Sequence, residues 1–222
     1  RFSVVVQPGP KCMYDPAQDP ETAADNWDFE LGLTAWVPAG AAFANQPVVG
    51  NPLSIRQDTL LSSQIQTNIG GDYWSGTSLA VGNKGQAWIH SGSPDAPSAG
   101  GDSLTGTLRS KTFMVNQPYI TFLIGGQQDD VNLRVEFLVA SPPGAPGDLT
   151  VNGQPFSVVL HETGQGDELL RRAWFNVSAY IGQRAVLRIV DTSTSGHISV
   201  DDFEFQSSSP TDTFATLAWI FA

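Results

Sequence analysis

The sequence predicts an all-β protein, and three observations support this fold class. Short runs of β-branched and aromatic residues alternate with turn residues along the chain, and amphipathic helical periodicity is nearly absent. Charged residues make up only 15% of the chain, so its polarity comes largely from Gly, Ser, Thr, Asn and Gln. At 222 residues, a loop-rich sandwich of this composition can form a single domain.

The segment Val131–Val139 shows the clearest strand pattern. Its apolar residues alternate with polar ones, so that Val131, Leu133, Val135, Phe137 and Val139 share one face, which predicts a half-buried strand. Other segments with strand character follow the same logic less regularly; they are Thr107–Val115, Tyr119–Ile124, Ala185–Val190 and His197–Val200.

The last of these runs is interrupted by two adjacent acids. Apolar alternation resumes at Phe203 and Phe205 after Asp201 and Asp202. Two carboxylates inside a strand predict an edge, a β-bulge or a ligand site.

Turn-rich segments divide the chain into three parts. Ser91–Gly101 and Pro142–Gly147 are expected to be surface loops, and Ser207–Pro210 a short linker. We therefore expect an N-terminal arm or lead-in over 1–25, a module over 26–206, and a linker with an apolar strand over 207–222. The start lacks a signal-peptide pattern, and the apolar end suggests that the native protein continues or that this segment packs on the core.

Charge and cysteine content exclude several classes of partner. Acidic residues outnumber basic ones 22 to 11, for a net charge of −11, and no Lys/Arg cluster is present. Nucleic acid and anionic membrane surfaces are therefore not expected partners, whereas calcium suits an excess of carboxylate oxygens.

Cys12 is the only cysteine, which excludes an intrachain disulfide. No apolar run reaches about eighteen residues, so membrane insertion is not expected.

Four segments, in order along the chain, resemble the galactose-binding-like jelly-roll modules found in bacterial levanase-like and invertase-like secreted proteins. They are Asn26–Trp36, Gly71–Trp74 with Gly106–Phe113, Pro118–Gly126, and Val190–Phe203. The resemblance implies a two-sheet antiparallel β-sandwich, a jelly roll related to carbohydrate-binding modules, and the strand pattern agrees with it. Where these modules carry Trp-Gly-His before the last strand, this chain has Ser195-Gly196-His197.

The resemblance also implies a structural calcium ion that joins the first strand to the last. The matching positions are Glu30 and Asp201 or Asp202, with Asp28 as a further candidate ligand. Carboxylates brought together near a core repel one another unless a cation neutralises them. The alternative is that Asp201 and Asp202 are solvated strand-end acids, that Glu30 caps a turn, and that Asp28 begins one.

Carbohydrate recognition requires aromatic faces beside polar side chains. Tyr73, Trp74 and Trp88, together with Asp72 and Asp102, supply these types in or near loops. The alternative is that the tryptophans fill the core, as most do in a sandwich.

The sequence predicts a secreted bacterial module without a catalytic centre, because no nucleophile, metal cluster or cofactor loop stands out. Its ligand is expected to be carbohydrate or a cell-surface group. The alternative function is a structural domain that packs against a neighbouring catalytic domain or subunit. Asn176-Val177-Ser178 matches the N-glycosylation sequon, which matters only in a eukaryotic secretory setting.

Overall fold

The computed structural model describes residues 19–49, 81–92, 101–142 and 144–210. The strands within these residues are β1 Trp36–Gly40, β2 Val48–Val49, β3 Ala87–His90, β4 Gly106–Ser110, β5 Phe113–Met114, β6 Tyr119–Gly126, β7 Leu133–Ala140, β8 Leu149–Val151, β9 Gln154–Glu162, β10 Asp167–Asn176, β11 Arg184–Asp191 and β12 Ile198–Gln206. Single 3-10 turns occur at Pro20–Thr22, Gly101–Ser103 and Ser178–Tyr180.

The strands form two antiparallel sheets, which confirms the predicted two-sheet sandwich. The seven-stranded sheet has the order β1-β4-β11-β7-β9-β8, with β5 also paired to β11. The five-stranded sheet has the order β10-β6-β12-β3-β2. In the part of the chain described, no helix has the length and apolar character needed to cross a membrane.

The main core lies between the sheets and is rich in aromatic side chains. Phe122 on β6 packs against Phe175 on β10 and Phe203 on β12, with ring centroids 4.9 and 5.3 Å apart. Phe137 on β7 faces them from the other sheet and is fully buried. Burial of these rings supplies much of the free energy of folding, because each removes a large apolar area from water.

Strand β7 confirms the predicted buried face and corrects its extent. Val135, Phe137 and Val139 belong to the main core, but Val131 precedes the strand and is 70% exposed. The opposite face is not solvated as predicted, since Leu138 is fully buried in a second apolar cluster on that side. Neighbouring strands add apolar side chains there, an effect that the period of one strand cannot reveal.

The two acids in the last strand mark a β-bulge, one of the three predicted possibilities. The β12 register against β6 shifts between Asp201 and Glu204, and Asp202 has a φ of 52°. Strand β12 lies in the middle of its sheet, so the interruption is not an edge. The extra residue lets both carboxylates be buried although they are adjacent in the chain.

Residues before the predicted module boundary contact the seven-stranded sheet. The Glu21 carboxylate accepts hydrogen bonds from the Thr112 backbone N–H at 2.8 Å and hydroxyl at 2.6 Å, and forms an ion pair with Arg109 at 2.9 Å. Lys111 Nζ donates to the Ala23 carbonyl at 2.6 Å. These contacts attach residues 19–25 to β4 and β5.

Candidate functional site

Two of the predicted metal ligands converge on one turn before β3. The Glu30 Oε1 atom accepts hydrogen bonds from the backbone N–H groups of Gln86 and Ala87 at 2.7 and 2.9 Å. The Asp201 Oδ2 atom accepts one from the Lys84 N–H at 2.7 Å. Residues 84–87 therefore lie between a carboxylate near the chain start and one on the bulge of β12.

The pKa of Asp201 is raised from 3.8 to about 8. Burial is the largest cause, and repulsion from the charges of Asp202 and Glu30 adds to it. Hydrogen bonds from the Lys84 and Asp202 backbone N–H groups oppose the increase without cancelling it. Asp201 is therefore a fully buried carboxyl, and within the described parts of the chain no basic side chain forms an ion pair with it.

Asp202, by contrast, is neutralised by two basic side chains. Its Oδ1 lies 2.9 Å from Lys84 Nζ, and its Oδ2 lies 2.9 Å from an Arg172 guanidinium nitrogen. The structure thus distinguishes the two acids that the sequence left equivalent. Asp201 bonds to the turn, and Asp202 forms ion pairs with Lys84 and Arg172. Asp28 is exposed, and its Oδ1 accepts a hydrogen bond from the Glu30 N–H at 3.4 Å. This contact matches the alternative interpretation, in which Asp28 begins a turn.

Gly85, in the turn, has no side chain and so leaves room for the Glu30 carboxylate. A Cβ at Gly85 would come within 2.2 Å of Glu30 Oε1, and Gly85 has a φ of 72°. Among the described residues, no group of three or more His, Cys, Asp or Glu side chains is arranged to hold a metal. Calcium takes about six to eight oxygen ligands, so backbone carbonyls and water would have to complete a site at Glu30 and Asp201. Carboxylate oxygens suit such a hard cation, and the buried Asp201 forms no ion pair with any residue that the structure describes.

A histidine links two carboxylates at the opposite end of β12. His197 Nδ1 lies 2.9 Å from Asp102 Oδ1, and its Nε2 lies 3.0 Å from Glu168 Oε2. The His90 ring packs against it at an interplanar angle of 47° with centroids 4.4 Å apart, and His90 Nδ1 lies 2.9 Å from the Ser199 hydroxyl. Asp102, predicted to contact ligand, therefore orients His197.

The two histidines have opposite pKa shifts. Burial lowers the pKa of His197, but hydrogen bonds and charges from Glu168 and Asp102 outweigh it and raise that pKa. Burial and then the charge of His197 lower the pKa of His90 well below its usual range. Burial also raises the pKa of nearby Asp191 to about 6. At neutral pH the arrangement favours a His197 cation between two carboxylates beside a neutral His90.

We expect His197→Gln to destabilise the fold most at acidic pH. A histidine whose pKa is raised in the folded state stabilises the fold. For His197 this contribution is complete at pH values below the unfolded-state pKa of 6.5, and it is lost as the pH rises through the folded-state pKa. Urea unfolding from pH 5.5 to 9 should show a wild-type advantage that shrinks with pH. His161→Gln, at an exposed position, is the matched control and should cost little. A pH-independent cost of His197→Gln would contradict the cation between Asp102 and Glu168.

A surface groove of about 650 Å³ lies at the other end of the sandwich, where the end of β12 meets β5. Trp27, Phe113 and Phe205 form a triangle of edge-to-face rings there, with centroids 5.0 to 5.3 Å apart. The remaining lining residues are mostly polar; they are Asp25, Met114, Asn116, Gln117, Phe203, Glu204 and Gln206. Half-buried aromatic rings beside carboxamides and carboxylates are suited to binding a polar ligand that also has apolar faces.

The predicted ligand residues are not brought together by the described structure. Trp88 is fully buried in a cluster with Val48, Val81 and Leu170, so its indole offers no face to a ligand. Trp88 therefore fills the core, which was the alternative interpretation of the tryptophans. Asp72, Tyr73 and Trp74 lie outside the described residues.

The groove residues were missed because they come from distant parts of the chain. Trp27 and Phe113 lie within segments that carry the jelly-roll resemblance, and Phe205 within the final alternation. Nothing local distinguishes these aromatics from core residues. A signal was present only in their neighbours, since Asn116-Gln117 and Gln206 are amides that immediately follow the apolar residues Val115 and Phe205.

Comparison with known sequences shows one partial similarity. No family model matches the chain. A protein of Aspergillus rugulosus named "Putative glycosyl hydrolase ecdE" is 34% identical over 122 residues, which is 54% of this chain. The chain spans about 15% of the length of that relative.

Comparison with solved structures shows β-sandwich domains with low similarity. TmCBM61 in complex with β-1,4-galactotriose has a TM-score of 0.44 and 13% identity, covering 83% of this chain and 97% of that one. The K1 cleaved adhesin domain of Lys-gingipain from Porphyromonas gingivalis W83 has a TM-score of 0.42 and 12% identity, covering 86% and 97%. Because the sequence identities and TM-scores are this low, the ligands of those proteins are not assigned to this chain. Its own strand pairing shows an antiparallel two-sheet β-sandwich.

Proposed function

We propose that this chain is a non-catalytic, calcium-stabilised module of a secreted protein, and that it binds carbohydrate in the groove between β5 and the end of β12. The observation that carries the proposal is the triangle of Trp27, Phe113 and Phe205 beside amide and carboxylate side chains. Sugars present C–H faces that pack on aromatic rings and hydroxyl groups that need hydrogen-bond partners.

The size and composition of the groove support a ligand of a few sugar units. Its volume of about 650 Å³ lies within the range of about 300–1,000 Å³ that is typical of small-ligand sites. Asn116 is exposed and Gln117 is half-buried, so their amides can donate to and accept from hydroxyl groups. Gln206 is half-buried and its Nε2 already donates to Glu204 Oε2 at 3.0 Å and to the Thr121 hydroxyl at 3.3 Å, so its Oε1 is the atom that would accept from a sugar hydroxyl.

The proposal of a non-catalytic role is supported by the state of His197. Both ring nitrogens are occupied by carboxylates, Asp102 on one side and Glu168 on the other. Among the described residues neither nitrogen hydrogen-bonds to a hydroxyl or thiol, so His197 is not placed to activate a nucleophile there.

Calcium is proposed to occupy the turn at residues 84–87. The carboxylates of Glu30 and Asp201 would bind the ion, and its charge would stabilise ionised Asp201. The ion would thereby tie the N-terminal segment to β12, the strand whose far end lines the groove. Its role is structural, since the groove does not include either carboxylate.

A glycan array followed by titration calorimetry tests carbohydrate binding, using unglycosylated protein from a bacterial host in calcium. We expect Asn116→Ala and Gln206→Ala each to weaken binding up to about tenfold, because each loses a hydrogen bond worth about 0.5–1.5 kcal/mol. Trp27→Phe should weaken it further by removing part of the aromatic surface. No bound glycan in calcium would overturn the proposal.

Trp174→Phe is the matched control for Trp27→Phe. Trp174 is another tryptophan, 39% exposed on β10, and it does not line the groove. Affinity should be unchanged in this variant. Equal losses in both variants would place the ligand elsewhere on the sheet.

The alternative proposal is a domain that packs against a neighbouring catalytic domain, as in the levanase-like proteins of the resemblance. It is favoured by the length of the Aspergillus relative, of which this chain matches only a small part. The same groove would then be covered in the whole protein. Groove variants that leave glycan binding unchanged but separate the module from its flanking domain in limited proteolysis would favour this alternative.

A further inference from the structure

Asn176-Val177-Ser178 is the one Asn-x-Ser/Thr sequon in the 222-residue sequence. It follows directly on β10, which ends at Asn176, and the 3-10 turn Ser178–Tyr180 begins within it. Asn176 and Ser178 are exposed, whereas Val177 between them is fully buried. The fold therefore holds the central residue in the core and presents both polar residues to solvent.

The hydrogen bonds of the sequon orient the Asn176 amide. Its Oδ1 accepts from the Ser178 backbone N–H at 3.1 Å and from the Ser178 hydroxyl at 2.7 Å. A backbone N–H can only donate, so this contact identifies the oxygen and places Nδ2 on the other side of the amide. Nδ2 makes no hydrogen bond to any residue that the structure describes, so a substituent on it would break no such internal contact.

The surroundings of Asn176 offer space and an aromatic surface. Strand β10 is the outermost strand of the described five-stranded sheet. Asn176 pairs with Tyr119 across the strands, and Trp174 lies two residues earlier on the same face. The rings of Tyr119 and Trp174 pack edge to face with centroids 5.9 Å apart, and Trp174 remains 39% exposed.

We propose that Asn176 is an N-glycosylation site and that the first sugar of its glycan packs on Trp174. In the transfer, Asn176 Nδ2 bonds to C1 of the first N-acetylglucosamine of a lipid diphosphate-linked oligosaccharide. The C1–O bond to the diphosphate breaks, the amide nitrogen loses one proton, and the lipid diphosphate leaves. The fungal relative is consistent with a eukaryotic secretory route, so this inference rests on the secretion included in the proposed function but not on carbohydrate binding.

Secretion of the full chain from yeast, behind a yeast secretion signal, tests the site. We expect one N-glycan, and treatment with peptide N-glycosidase in heavy-oxygen water should convert residue 176 to labelled Asp. Asn176→Gln and Ser178→Ala should both remove the glycan, whereas Ser178→Thr should keep or increase occupancy. Secreted wild-type protein without a glycan, or a glycan that persists in Asn176→Gln, would overturn the proposal.

Packing on Trp174 is tested by comparing thermal stability with and without the glycan. After trimming to a single N-acetylglucosamine, wild-type protein should melt higher than its fully deglycosylated form. In Trp174→Ala the difference should disappear, and an equal difference in that background would overturn the contact. Carbohydrate binding is measured on bacterial protein without a glycan, so failure of one proposal leaves the other to be judged separately.

Discussion

Asp201→Asn is expected to abolish stabilisation of the fold by calcium and to remove most of the pH dependence of stability in a chelator. The folded-state pKa of Asp201 is raised from 3.8 to about 8, so the folded chain binds more protons than the unfolded chain between these values. Wild-type stability without calcium should therefore fall as the pH rises across this interval, by several kcal/mol. Asparagine cannot ionise, so this decline should be lost.

Calcium should reverse the decline in the wild type. The ion would replace the proton on Asp201, so its affinity should increase as the pH approaches 8. At free calcium of about 100 times the Kd, the expected gain in unfolding free energy is about 2.7 kcal/mol. Urea unfolding and calorimetric titration with calcium, and with magnesium for comparison, measure these quantities. Glu30→Gln should reduce the same gain.

Asp202→Asn is the matched control for this experiment. It removes an adjacent carboxylate that is paired with Lys84 and Arg172, so it should destabilise the fold yet keep the response to calcium. Asparagine also tolerates the positive φ of this residue. A calcium response that survives Asp201→Asn but not Asp202→Asn would contradict the assignment of ligands, and no wild-type response would contradict the calcium proposal itself.

Phe137→Ala is expected to lower the free energy of unfolding by about 3–5 kcal/mol, because it leaves a cavity in the centre of the sandwich. The Phe137 ring is fully buried and packs near Tyr180, with centroids 5.7 Å apart. Equilibrium unfolding in urea measures the loss. Val131→Ala, on the same predicted face but 70% exposed, should change stability by less than about 0.5 kcal/mol. Similar losses in the two variants would contradict the observed limits of β7.

The strands were predicted best where the evidence is local. Side chains alternate along any strand, so Val131–Val139 and the runs that became β6, β11 and β12 could be recognised from spacing alone. The break at Asp201-Asp202 likewise predicted an edge, a bulge or a ligand site, and the register shift in β12 identifies a bulge. Burial of Leu138 on the second face could not be predicted, because it depends on strands that lie next to β7 only in the folded sheet.

The candidate sites, like the strands, were predicted only in part from the sequence. Resemblance indicated Glu30 with either acid of the pair, but identical residue types in adjacent positions gave no basis for choosing between Asp201 and Asp202. In the structure Lys84 and Arg172 form ion pairs with Asp202, whereas Asp201 is buried beside the turn, and this difference is the reason we propose Asp201 as the calcium ligand. Asp102 was chosen as an acid in a loop, and only the fold shows that it holds His197.

The sequence by itself determined that this protein is acidic and all-β, with two adjacent carboxylates interrupting the strand pattern at Asp201 and Asp202, since composition and period-two spacing are properties of the chain. The tertiary structure alone decided which residues meet. Trp27, Phe113 and Phe205 form one groove although long stretches of chain separate them, because the ends of β5 and β12 are brought together by packing of the two sheets. Contacts of this kind depend on how sheets stack, and no local spacing encodes them.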